Sequence, residues 1–257
     1  MAFENLTLGI AGGIARITLS KPDTFNTVSS ALCHDLVAAT KQLEGDTSVR
    51  VVILTSSGSM FSAGGDLKDF IAHRSDIHDY VLRMATAFHE AIMTLQLLPA
   101  PLLVGVNGTA AGGGFSLVLG GDYIIAKKSA KMVSAYTRLG LTPDGGSSWF
   151  LPRLVGRQRA FDLMVTNTVL TAEQAREIGI VSRVVEDADF EAALQKCAED
   201  FVALPNEVIG KLKKLLRRED RESLQAQFDA ETQSIASALA APGAMERIEA
   251  FLAKSKK

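Results

Sequence analysis

The chain has 257 residues, 47% hydrophobic and 22% charged, enough for one large domain with a full core. Its 27 basic against 29 acidic residues leave a net charge of −2, which excludes a basic field for nucleic acid. Cys33 and Cys197 stand apart from any CxxC or Cys/His cluster, which speaks against a zinc site or a disulfide framework, and no apolar run approaches the roughly 20 residues of a membrane span. The N-terminus lacks a charged segment followed by an apolar one, so the expectation is a cytoplasmic protein without nucleic-acid or membrane partners. A presequence already removed would leave no trace.

In chain order, Leu6 to Ile10 and Ile14 to Leu19 flank Gly12-Gly13 and predict a hairpin. Leu32, Leu36, Ala39 and Leu43 recur at helical spacing, with Ser29 or Ser30 as cap and Gly45 as stop. VRVVILTSS from Val49 is β-branched without alternation, the mark of a strand covered on both faces. A long helix follows over 77–98, closed by Pro99 and Pro101, then a second buried strand in LLVGV from Leu102. From about Phe190 the β-branched runs end, and Leu, Ala, Glu, Lys and Gln predict helices to the C-terminus. The division is a core over 1–190 and a helical region over 191–257.

The segments VVILTSSGSMFSAGGDLKDF and LLVGVNGTAAGGGFSLVLGG share one plan: a buried strand, a loop of small polar residues, Ala-Gly-Gly, then an apolar helix start. Consecutive strand-to-helix turns of a parallel sheet leave the same edge, so the corners at Ala63-Gly64-Gly65-Asp66 and Ala111-Gly112-Gly113-Gly114 are expected to face one crevice. Unpaired N–H groups there would bind an oxygen that gains negative charge. The alternative is that these glycines only allow close packing. Neither GxGxxG nor GxxxxGK[ST] fits, and Ser116 lacks the closing glycine of a nucleophile elbow.

MFSAGGDLKDF, NGTAAGGGFSLVLGGDYIIA, RLGLTPDGGSSWFLPRLVGRQRA and LTAEQAREIGIVSRVV, in this order, resemble the crotonase (enoyl-CoA hydratase/isomerase) superfamily over nearly the whole chain, to the closing FLAKSKK. The resemblance implies an α/β spiral of β-β-α units, a C-terminal helical trimerisation region, a homotrimer or dimer of trimers, and an acyl-CoA thioester as substrate. It implies no separate cofactor, since coenzyme A enters with the substrate, and no metal. It places the oxyanion-binding amides at Gly65 and Gly113. For the CoA moiety it implies Thr24, Phe25 and Asn26 after the hairpin, then Ala63, Gly64, Asp66, Leu67 and Lys68, with Gly112 on the second corner. Phe251 and Lys254 are implied to reach the CoA of a neighbouring subunit.

The superfamily's hydratases carry glutamates where this chain has Ser116 and Tyr136, so ordinary hydration would need another base. The acidic residue at hand is Asp144, in TPDGGSSW, which resembles the Asp-type isomerases of phenylacetyl-CoA breakdown. Asp144 is thus the candidate acid–base, with Tyr136 as a hydrogen-bond donor to it or to the acyl group. A competing reading makes Asp144 the cap of a helix starting at Gly145. Chlorobenzoyl-CoA dehalogenases of the same superfamily use an Asp here as nucleophile, with a Trp at the Tyr136 position and a His at the spacing of His89. By itself His89 reads as a surface or supporting residue. A thioester hydrolase, a hydratase with another base, and a non-catalytic acyl-CoA binder complete the alternatives.

Overall fold

The computed structural model describes residues 3–216 and 220–254. The hairpin forms from β1 (Leu6–Ala11) and β2 (Ile14–Leu19), and α1 (Ser30–Leu43) buries Leu32, Leu36, Ala39 and Leu43. Ser29 is its cap, accepting the Leu32 N–H at 3.2 Å. The chain continues through β3 (Val51–Ser56), β4 (Met60–Ser62), α2 (Leu67–Ala72), α3 (Ile77–Leu97), β5 (Leu102–Val106), β6 (Thr109–Ala111) and α4 (Gly113–Leu119). Next come β7 (Tyr123–Lys127), β8 (Lys131–Val133), α5 (Ser147–Val155), α6 (Arg157–Thr166), β9 (Leu170–Thr171), α7 (Ala172–Glu177) and β10 (Arg183–Val185). Four helices close the chain: α8 (Phe190–Ala203), α9 (Asn206–Leu216), α10 (Asp220–Ala240) and α11 (Ala244–Lys254). Residues 255–257 of the FLAKSKK stretch lie outside the described residues.

Two sheets carry the spiral. One has the order β1-β2-β3-β5-β7-β10 and the other β4-β6-β8-β9. Each of β3, β5 and β7 feeds a three-residue partner in the second sheet, where β4, β6 and β8 run parallel. In sequence the residues before each Ala-Gly-Gly read as loop, whereas they form β4 and β6. Strands this short show too few residues for an alternating pattern, and their register is set by neighbouring strands.

Why β3 shows no alternation follows from its surroundings. Val52 and Leu54 face the main core, while Val51 and Ile53 meet Phe190, Leu194 and Ala198 of α8 on the other face. Across the molecule α10 packs along α3, so part of the C-terminal region lies against the core. Among the described residues no helix is long and apolar enough to cross a membrane.

The crossing from β5 to β6 is tight. A Cβ on Gly108 would stand 2.1 Å from the carbonyl oxygen of Ser59 and 2.8 Å from its carbon, so the two backbone segments exclude any side chain. Gly108→Ala is expected to lower stability by about 1–3 kcal/mol through overpacking, read as a lower urea midpoint at unchanged slope. An unchanged midpoint would mean that the two loops part freely.

Candidate active site

The strands β4 and β6 pair in parallel, Met60 with Thr109 and Ser62 with Ala110, so the chain leaves both at the same end. The two glycine corners then press on each other. Gly64 has φ +90°, and a Cβ on it would stand 2.8 Å from the Ala111 carbonyl oxygen; Gly112 has φ +51° and sits against the Gly64 Cα. Both hold a positive φ that favours glycine, and Gly64 needs bare backbone as well. A Cβ on Gly114 would strike Ser62 at 2.5 Å. Close packing therefore explains Gly64, Gly112 and Gly114.

Gly65 and Gly113 differ. An added Cβ would meet only side chains, Phe70 at 3.1 Å and Val28 at 3.2 Å. The amides around them are paired: Ala63 N–H donates to Phe25 O, Gly64 N–H to Ser62 Oγ, Asp66 N–H to Val28 O and Gly112 N–H to Val133 O. Among the described residues neither Gly65 N–H nor Gly113 N–H has an acceptor. Both glycines line a cavity of about 220 Å³ together with Asp144, Tyr136 and a largely apolar wall that includes Val28, Phe70, Met84 and Phe88.

The other expected site residues divide. Ala63, Gly64, Leu67, Gly112 and Phe251 also line this cavity. Phe251 does so within its own chain, whereas the resemblance implied a neighbouring subunit's site. Thr24 and Asp66 border a separate polar depression, and Asp66 caps α2 by accepting from Lys68 N–H and Asp69 N–H. Phe25, Lys68 and Lys254 are exposed and do not line the main cavity. Ser116 stands at a hydratase glutamate position, where a substrate contact is expected, but it is fully buried and does not line the cavity. Its hydroxyl donates to the Asp144 carbonyl at 2.7 Å and lies 3.1 Å from the Tyr136 hydroxyl.

Tyr136 lies within hydrogen-bonding range of the same Asp144 carbonyl, 3.2 Å away, and so holds the backbone of the acid rather than its carboxylate. Burial, then the charge of Asp144, pushes the Tyr136 phenol well above its ordinary range, so it stays a donor. Asp144 is not a side-chain cap. The helix begins at Ser147 behind Gly146, and the Asp144 carboxylate instead points to His89.

His89 is not a surface residue. At 4% exposure it places Nε2 2.6 Å from Asp144 Oδ1, and the same Nε2 accepts the Gly145 N–H at 3.1 Å. Two lone pairs cannot meet at 2.6 Å, so a proton lies between them: while Nε2 accepts from Gly145 it is Asp144 that donates, and Nε2–H can donate to Oδ1 only once that backbone bond is released. The Thr232 hydroxyl faces Nδ1 at 2.9 Å and can donate or accept, so either ring state keeps a partner. Phe228 stacks on the ring at 4.3 Å between centroids. Burial disfavours a charged ring, but the carboxylates of Asp144 and Glu231 outweigh it and raise the His89 pKa.

Glu231 of α10 has no sequence signal of its own. Its Oε2 lies 3.7 Å from His89 Nε2 and accepts the Gly146 N–H at 2.7 Å; its Oε1 accepts from Ser148 N–H at 3.0 Å and from the Ser148 hydroxyl. Burial, then the Asp144 charge, pushes its pKa up to about 7. His89, Asp144 and Glu231 each offer a ligand atom within 4.8 Å of the others. Both Glu231 oxygens already accept from N–H or O–H donors, and His89 Nε2 accepts from Gly145 N–H.

The family model described as enoyl-CoA hydratase/isomerase matches residues 9–257. The chain is 35% identical over 243 residues to the 1,2-epoxyphenylacetyl-CoA isomerase of Escherichia coli (strain K12), covering 94% of this chain and 93% of that protein. It is 32% identical to 4-chlorobenzoyl coenzyme A dehalogenase-2 of an Arthrobacter species, covering 94% and 88%. A crystal structure of enoyl-CoA hydratase from Bacillus halodurans superposes with a TM-score of 0.90 at 26% identity, over 96% of this chain and 100% of that one. With its spiral of β-β-α units and paired glycine corners, the chain belongs to the enoyl-CoA hydratase/isomerase family, the crotonase superfamily.

Proposed function

We propose that the protein moves a double bond in an acyl-CoA thioester, with Asp144 as the acid–base. One observation carries this reading: the unpaired amides of Gly65 and Gly113 share an apolar cavity with Asp144, and among the described residues no second carboxylate lines it. Glu231 lies behind His89 and is tied to the α5 backbone. One carboxylate suits a reaction in which the same group takes and returns a proton.

In the working state His89 Nε2 releases the Gly145 N–H, takes a proton and donates it in a hydrogen bond to Asp144 Oδ1, leaving Oδ2 as the base. Oδ2 takes a proton from the acidic carbon of a β,γ-unsaturated acyl-CoA, and the C–H electron pair enters a dienolate. The N–H groups of Gly65 and Gly113 hold the thioester oxygen as its charge grows. The proton then leaves Oδ2 for the γ carbon, and the electrons return to the new double bond. Removal of one such oxyanion donor costs about 3–4 kcal/mol in a serine protease. The Ser116 and Tyr136 hydroxyls fix the Asp144 carbonyl and hence the reach of its side chain. The similarity to an epoxyphenylacetyl-CoA isomerase supports an acyl group of comparable size.

A second reading rests on the 2.6 Å contact between His89 and Asp144. An imidazole beside a carboxylate can also serve nucleophilic attack followed by hydrolysis, the chemistry expected of a dehalogenase. Tyr136 in place of Trp disfavours it.

Asp144→Asn is expected to lower kcat for isomerisation by about 10²- to 10⁴-fold with a much smaller change in KM. Proton NMR of the acyl chain in heavy water checks this, and undiminished exchange at both the α and γ carbons would refute the assignment. His89→Gln separates the two readings. If Asp144 shuttles protons, the variant turns over slowly without a covalent intermediate. If Asp144 attacks the ring carbon that bears the halogen of a halobenzoyl-CoA and expels halide, an aryl ester on Asp144 accumulates and adds the mass of that thioester less hydrogen halide.

A further inference from the structure

We infer that Glu231, carried by the C-terminal helix α10, is a positioning residue: it caps α5 from outside and sets the charge and orientation of the His89–Asp144 pair. The inference takes Asp144 as the working acid–base group proposed above. It begins with a glycine. Gly146 precedes α5 at φ +78°, and a Cβ there would stand 2.6 Å from Phe150 and 2.8 Å from Phe228, so the residue before the helix can carry no side chain. A helix start normally receives an oxygen acceptor from that residue. Here no such cap exists, and Glu231 supplies it across the chain, accepting from Gly146 N–H and Ser148 N–H.

Capping alone would be met by a neutral oxygen. The choice of a carboxylate has a further effect because the same oxygen that accepts from Gly146 lies 3.7 Å from His89 Nε2. A negative charge there favours the imidazolium, and so favours the state in which His89 donates and Asp144 is ionised. The groups facing this cluster are Cys33 from α1, His89 from α3, Tyr136 and Asp144 from the loops before α5, Ser148 from α5, and Gln227, Asp229 and Thr232 from α10; Gln227 donates to the Ser148 hydroxyl at 2.6 Å. Glu231 titrates near neutrality through burial, so the push on His89 is strongest above that pH. The loop of Asp144 and the helix α10 are thereby joined at one group.

The experiment is a pH titration of the ring nitrogens in ¹⁵N-histidine-labelled full-length protein, with no ligand present. The chain has four histidines, and His89→Gln assigns the signal. In Glu231→Gln the His89 midpoint should fall by about half a pH unit or more, a factor of about 3 in its protonation constant. With the acyl-CoA isomerised by the wild type, kcat should fall about tenfold with KM within about twofold, and Glu231→Asp should recover part of it. Ser148→Ala removes one donor to Glu231, raises its proton affinity, and should shift His89 the same way by less; it serves where Glu231→Gln does not fold. An unmoved His89 midpoint in a folded variant overturns the inference. A shifted midpoint in a protein whose wild type isomerises nothing leaves the inference standing and removes the isomerase reading.

Discussion

The contact on which the site depends is backbone against backbone, Gly64 on Ala111 and Gly112 on Gly64. Side chains at these places would separate the two corners. Separation would move Gly65 N–H away from Gly113 N–H, and two donors act on one oxygen only when both reach it. The pairing of β4 with β6 sets the direction from which the corners approach. Glycine closes the remaining distance. Packing and oxyanion binding are thus not rival explanations here: three glycines bring the corners together, and the other two face the cavity with free amides.

Much of this was legible in the sequence because it is local. A triple glycine entering an apolar run is a conflict between backbone entropy and burial, and it marks the corner without knowledge of the fold. The two-faced burial of β3 and β5 was legible for the same reason, since both faces leave their imprint on consecutive residues. The short strands of the second sheet were not. Their pairing is fixed from outside, by the spiral, and three residues carry no period.

The acid–base cluster divides along the same line. Asp144 stands in a motif, whereas the partner that shapes it lies far along the chain. Glu231 occupies a polar stretch, ETQS, on a helix with little segregation of apolar from polar residues, and nothing there distinguishes a buried acid from an exposed one. Apart from its spacing in the dehalogenase resemblance, His89 is legible only as a position on an amphipathic helix. Its burial follows from α10 packing on α3, and its ring orientation from Phe228 and Thr232 of the same helix. A contact made by tertiary packing has no local signature.

This has a consequence for the C-terminal region. Read from the sequence it is an appendage that serves assembly, yet α10 supplies Phe228, Glu231 and Thr232 to the cluster, α10 and α11 supply Ile235 and Phe251 to the cavity wall, and Arg247 of α11 donates to the Leu139 carbonyl. A shift of α10 against α3 by one ångström would lengthen the His89–Thr232 and Glu231–Gly146 hydrogen bonds together. Hydrogen bonds weaken steeply with distance and angle, so both would fail at once. The acid–base group is therefore held from two sides: by Ser116 and Tyr136 at its carbonyl within the spiral, and by a helix from outside the spiral at its carboxylate. In the proposed reaction the spiral determines where the thioester oxygen sits, and α10 bears on the protonation state of the group that meets it.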